Sequence, residues 1–360
     1  MTEKDYLILL TSFIAFGPAR STLMVNFFGS AKKSWRATPK QLSAIGLSNK
    51  LVSEFTEYRK QINPTTFFSN LTKLGVSVIT QNESEYPQNL LEIEDKPLVL
   101  YVRGSLTKND ENAIAIVGSR KMTSYGRDVT EKLSAELANI GVTIVSGLAF
   151  GVDITSHKSA LDAGGRCIAV MASGIDIVTP RSNEWLGKKI LASGGAIVSE
   201  YPPGTVPQRQ FFPYRNRIIS GLSRAVVVVE GMIKSGTIHT AKHAADQGRQ
   251  VFAVPGPITS PMSQAPHYLI KNGAKMVTDV ADILEELNLQ LAVDKEKMEK
   301  LLPADSAEAK IIGVLEKETL HLDEIARILD MSVSEISARL TIMELKGLVK
   351  SLGNGVYKRA

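Results

Sequence analysis

Between residues 114 and 256, six short apolar runs rich in β-branched residues alternate with amphipathic stretches, and each run ends in a glycine- or proline-bearing turn. The runs are IAIVGSR (114–120), TIVSGLA (143–149), CIAVMASG (167–174), AIVSEYP (196–202), AVVVVEG (225–231) and VFAVPG (251–256). The intervening helical stretches are 125–140, 153–163, 183–192, 218–222 and 237–247. Strands that are apolar without alternation need cover on both faces. The pattern therefore predicts an α/β chain built on a Rossmann-like, mostly parallel sheet.

The flanks read differently. Residues 1–70 show helical spacing in YLILLTSFIAF and LVSEFTEYRKQI, hinged at FGPAR (16–20) and IGLSN (45–49). This is a helical domain of the SAM or helix-hairpin-helix-like kind. Such hinges can offer backbone N–H groups to a phosphate or simply turn a packing domain. The extended core covers 71–292, with additional strands VSVIT (76–80) and LVLYVRG (98–104). A charged linker at 293–305 leads to three helical stretches (306–317, 322–329 and 332–346) and a hairpin turn at Asn354-Gly355. That order predicts a winged helix over 306–360. Its eight acidic and eight basic residues favour a protein contact or regulatory role over duplex reading.

The net charge of +5 favours a polyanionic partner. One cysteine, Cys167, excludes an internal disulfide and suits a reducing compartment. No apolar run approaches the roughly 20 residues that span a bilayer, and the opening MTEKDYLILL is a poor signal peptide. The expectation is a cytoplasmic protein with no membrane partner.

In an open α/β sheet, ligands sit beyond the carboxyl ends of the strands. Here that edge carries Gly118-Ser119-Arg120, Ser146-Gly147, Ser173-Gly174 and Ser235-Gly236-Thr237. Glycines let an anion approach the backbone, and a helix N-terminus favours negative charge. Phe211 to Ser223 adds two aromatics and Arg215-Asn216-Arg217 at the mouth of a helix. Guanidiniums bind phosphates and aromatic faces stack on bases, although an arginine pair can equally cap a helix and bridge carboxylates. The chain lacks G-x-G-x-x-G and G-x-x-x-x-G-K-[ST], so no nucleotide cofactor is expected. Asp153 with His157, and His239 with His243, offer neither a metal set nor a nucleophile–base pair. Glu200 and Glu230 are cast as partners that orient Arg215 or Arg217.

These motifs, in this order, resemble the DNA-processing protein A family (DprA, also called Smf). The resemblance runs from Glu85 to about Ala274 through EYPQNLLEIEDKPLVLYVRG, IAIVGSR, SGLAFGVDITSHKSAL, SGIDIVTPRSN, SEYPPGTVPQRQFFPYRNRIISGLS, VVVVEGMIKSGTIHTA and GRQVFAVPG. It implies a non-enzymatic single-stranded DNA-binding protein that protects incoming strands in natural transformation, loads the RecA recombinase and works as a homodimer. By resemblance the DNA-binding residues are Gly118, Ser119, Arg120, Gly147, Arg181, Asn183, Arg209, Phe212, Arg215, Asn216 and Arg217, with Ser235, Gly236 and Thr237 as a phosphate floor, and no metal. Thr179, Ser156 and His267 depart from the family pattern. The alternative is a Rossmann-like nucleotide-processing hydrolase, whose PGGxGTxxE loop would fall near Gly231 to Thr240, where no glutamate follows Ser-Gly-Thr.

Overall fold

The computed structural model describes residues 1–287, 306–315, 318–345, 348–353 and 355–359. The expected linker at 293–305, and Asn354 of the expected hairpin turn, lie outside them. The chain forms two compact units, Met1–Gln290 and Leu291–Ala360.

The first unit opens with six helices: α1 (Glu3–Ser12), α2 (Gly17–Phe28), α3 (Ala31–Arg36), α4 (Pro39–Ala44), α5 (Asn49–Gln61) and α6 (Pro64–Lys73). Side chains of Thr2, Ser30, Thr38, Ser48 and Asn63 accept hydrogen bonds from the first turns of five of them. Such caps satisfy N–H groups that the helix cannot pair itself. Leu10, Phe16, Met24, Leu42 and Phe55 fill the space between them, with the Phe16 and Phe55 rings 4.6 Å apart.

A nine-stranded sheet follows, made of β1 (Ser77–Thr80), β2 (Val99–Gly104), β3 (Ile114–Val117), β4 (Ile144–Ser146), β5 (Cys167–Val170), β6 (Ala196–Ser199), β7 (Ala225–Val228), β8 (Gln250–Ala253) and β9 (Lys275–Met276). Its order is β1-β2-β6-β5-β4-β3-β7-β8-β9. The seven strands from β6 to β9 in that order run parallel, while β2 joins β6 and β1 joins β2 antiparallel. The intervening helices are α7 (Gln88–Leu91), α8 (Ser124–Asn139), α9 (Val152–Asp162), α10 (Glu184–Ala192), α11 (Phe211–Gly221), α12 (Gly236–Asp246), α13 (Gln264–Lys271) and α14 (Val280–Glu286). The expected α/β class is what the chain adopts.

Successive strand residues face opposite sides of the sheet. Val117, Val145, Val170, Val198, Val226 and Val228 meet Leu90, Ile218, Ile219 and Ala244 of α7, α11 and α12, with Leu222 just past α11. Helices α8, α9 and α10 pack over β3 to β6. Every residue of β3 and β7 is buried, so both faces are covered. Each buried valine or isoleucine contributes about 1.5–3 kcal/mol.

The chain runs from β3 into α8 and β4 on one side, and from β7 into α12 and β8 on the other. Connections leave in opposite directions from the adjacent strands β3 and β7. The carboxyl edge therefore opens between them, the place where α/β sheets leave a crevice.

The second unit holds α15 (Ser306–Leu315), β10 (Leu320–His321), α16 (Leu322–Leu329), α17 (Val333–Leu345), β11 (Val349–Gly353) and β12 (Val356–Arg359). Its sheet has the order β10-β12-β11, all antiparallel. Ile311, Leu315, Ile325, Ile336, Leu340 and Met343 form its own core. This is the expected winged helix, with β10 as a third strand absent from the sequence reading.

Candidate nucleic-acid interface

A cavity of about 350 Å³ fills the crevice between the ends of β3 and β7. Its walls are Gly118, Ser119 and Arg120 after β3, Phe212, Arg215 and Asn216 on α11, and Ser235, Gly236 and Thr237 at the start of α12. Asp153 and Lys234 complete the polar lining. Nine of the fourteen residues expected at the site thus share one cavity.

Helix α11 begins at Phe211, seven residues earlier than its apolar run suggests. Pro213 fits because first-turn positions have no N–H partner within the helix to lose. Phe212, Arg215, Asn216 and Ile219 then fall at i, i+3, i+4 and i+7, one stripe of the helix facing the cavity. Phe211 is the buried anchor, stacked on Tyr201 with ring centroids 4.4 Å apart.

Arg215 is buried, and its Nη1 donates to the Val170 carbonyl. Its Nε donates to Asn216 Oδ1 at 3.2 Å, while Asn216 Nδ2 reaches the Gly236 carbonyl at 3.5 Å and links α11 to α12. Burial lowers the Arg215 pKa, and the facing Asp153 opposes that. Burial likewise raises the Asp153 pKa, against the pull of Arg215. Gly147 makes this approach possible. A Cβ there would stand 2.5 Å from Asp153 Oδ2 and 2.7 Å from Arg215 Nη1.

At the rim, the exposed Arg120 guanidinium lies 5.1 Å from the Phe212 ring centroid. A cation over an aromatic face is attracted by the ring quadrupole. At the floor, Ser235 stands immediately before α12, and its buried hydroxyl has no hydrogen-bond partner. An 11-residue helix presents the positive end of its dipole there. Three cations (Arg120, Arg215 and Lys234) face one carboxylate, so the cavity suits an anion.

Four expected residues stand elsewhere. Arg217 points away from the cavity, 2% exposed, with Nη2 2.6 Å from Glu200 Oε2 and Nε 3.4 Å from Asp95 Oδ2. Two residues along a helix turn a side chain by about 200°, which separates it from Arg215. Asn183 is buried and donates to the Leu148 carbonyl at 2.8 Å, tying the turn before α10 to the one after β4. Arg181 and Arg209 are exposed and do not line the cavity. Lys234 was overlooked, although a lysine directly before Ser-Gly-Thr at a helix start was a readable signal.

The acid and base groups have other duties. Glu200 belongs to Arg217, and burial raises its pKa against that pairing. Glu230 accepts from the Thr123 amide at 2.8 Å and its hydroxyl at 2.6 Å, at the start of α8. It does not pair with either α11 arginine. His157 is fully buried, and burial pushes it down to about 4. His239 is exposed and His243 half-buried. Among the described residues, no group of three or more His, Cys, Asp or Glu could hold a metal ion.

Residues 77–288 match the family model for DNA recombination-mediator protein A, and 295–355 match the DprA winged helix domain. Protein Smf of Synechocystis sp. is 32% identical over 99% of both chains. The chain belongs to the DNA recombination-mediator protein A family. Protein Smf of Escherichia coli is 35% identical over 90% of this chain and 89% of its own. Among solved structures, DNA processing protein A of Streptococcus pneumoniae superposes with a TM-score of 0.61 at 38% identity, covering 69% of this chain and 86% of that one. DNA processing protein A of Helicobacter pylori, solved for its single-stranded DNA binding mode, gives 0.53 at 29% identity over 59% of this chain and 95% of that one. No helix among the described residues of this family member is long and apolar enough to cross a membrane.

Proposed function

We propose that this protein is a single-stranded DNA-binding recombination mediator of natural transformation, with no catalytic step of its own. The observation that carries the reading is one cavity uniting the Arg120–Phe212 stack with the unpartnered Ser235 hydroxyl at the start of α12. Phosphates would meet the α12 N-terminus, Arg120, Arg215 and Lys234, and a base would stack on Phe212. Gly118, Ser119 and Gly147 let the strand and the guanidinium come close. Arg217 and Asn183 hold the walls, and Arg181 and Arg209 lie outside the cavity.

The Helicobacter relative supports the ligand class. With Glu200 and Glu230 both engaged in structural contacts, nothing in the cavity favours a nucleotide hydrolase. The further parts of the reading are RecA loading, a homodimer, a cytoplasmic site of action, and division into parts at 1–70, 71–292, 293–305 and 306–360.

The test is fluorescence anisotropy with labelled oligothymidylate at two salt concentrations, for wild type and for Arg120→Ala with Phe212→Ala. The double variant should bind far more weakly. Equal affinity at both salts would remove the assignment. RecA nucleation on the bound strand, size-exclusion mass and free base released from AMP address the remaining claims.

A further inference from the structure

Beside the crevice lies a second cavity of about 330 Å³, over the start of α8 and the outer faces of α9 and α10. Arg120, Lys121, Arg127 and Lys158 line it, against the single carboxylate of Glu131. All four cations are exposed, and none of them takes part in an ion pair among the described residues. Its far wall is Trp185, 47% exposed in the first turn of α10. A tryptophan so exposed, among four cations and one carboxylate, leaves much of its ring free to meet a ligand.

Arg120 lines both cavities. Its place on the ridge is fixed by backbone contact, since Val152 N donates to the Ser119 carbonyl at 3.2 Å. Gly151, with φ of 78°, lies so close that a Cβ there would sit 2.1 Å from the Ser119 carbonyl oxygen. The order across the surface is therefore aromatic (Phe212), cation (Arg120), cations and aromatic (Trp185). Cationic grooves interleaved with aromatic faces are how proteins hold successive nucleotides of a single strand without reading sequence.

We propose that the Trp185 groove is a second nucleotide subsite, so that a single strand leaving the crevice crosses Arg120 and stacks a further base on Trp185, with Lys121, Arg127 and Lys158 on its phosphates. This rests on the reading of the crevice as a single-strand site. It also defines a minimum strand length, because only a strand that spans the ridge engages both aromatics.

The chain has two tryptophans, and Trp35 packs edge-on against Phe55 and Tyr58 in the helical region. Tryptophan emission is followed while oligothymidylates of about four and about twelve nucleotides are added, lengths within the range of single-strand site sizes. Binding is measured in parallel by anisotropy. The longer strand should quench emission in wild type but not in Trp185→Phe, and the shorter should bind with little quenching.

Trp185→Ala should weaken the longer strand on the order of tenfold and leave the shorter one unchanged. Arg127→Ala with Lys158→Ala should flatten the salt slope for the longer strand by about 1.4, at about 0.7 per phosphate. Binding of both lengths with unaltered emission and wild-type affinity in all these variants overturns the second subsite while leaving the crevice intact. Failure of wild type to bind either length overturns both.

Discussion

On the cavity side of α11, Arg215 meets a backbone carbonyl and faces the single carboxylate of Asp153 over Gly147. On the back of the same helix, two positions on, Arg217 is enclosed by Glu200 and Asp95. The sequence spells both as arginines flanking one asparagine. The difference comes from the far ends of the pairings: Glu200 follows β6 and Asp95 lies in the connection from α7 to β2, while on the cavity side the one facing carboxylate is Asp153 of α9. Proximity along a chain says little about which of two like charges is available to a ligand. The partners that each finds in the fold decide it.

The sharpest way to break this division is to remove Arg217. Arg217→Ala leaves Glu200 buried without its partner and should destabilise the first unit by about 3–5 kcal/mol in urea unfolding. Single-strand affinity of the folded fraction should be kept. A variant with wild-type stability and lost DNA binding would reverse the roles of the two faces. Arg217→Met with Glu200→Gln should recover much of the loss, since it removes both charges together.

The pH axis tests the buried face of α9 beneath the cavity. The His157 imidazole titrates near 4 in the fold, against 6.5 when exposed. Between those values the unfolded chain binds more protons than the folded one. Stability is then complete above about 6.5 and falls as the pH drops toward 4, by on the order of 3 kcal/mol in all. Unfolding midpoints from pH 7 to 4 for wild type and His157→Gln should show a flatter profile in the variant.

Smaller effects sharpen the crevice itself. Arg120→Ala and Phe212→Ala should each lose about 1–3 kcal/mol of single-strand affinity. Only Arg120→Ala should also lower the salt slope, by about 0.7. Arg209→Ala, on an exposed loop outside the cavity, should change affinity by less than about 0.5 kcal/mol. A larger change there would mean that the strand path runs past α11 rather than across Arg120.

Much of the core was legible because its strands are fully buried and so read as unbroken apolar runs. Strand β9 escaped because Lys275 and Met276 are both exposed on a two-residue edge. The start of α11 was hidden by Pro213, which reads as a break anywhere except in a first turn. The cavity was legible as a set of glycine turns on one edge. The Glu200–Arg217 pair was foreseen as one option, but its location behind the helix was not, because it depends on a crossing that brings residues 95, 200 and 217 together. The need for Gly147 was equally invisible, since it follows from a guanidinium supplied 68 positions later.

The anchoring of Arg215 on the Val170 carbonyl has a kinetic consequence. A free arginine carries about 2 kcal/mol of rotamer freedom, lost whenever the side chain is fixed on a phosphate. Here that loss is taken when the chain folds, long before a strand arrives. Encounter with DNA then needs no rearrangement of this side chain, and association is left to diffusion and charge steering.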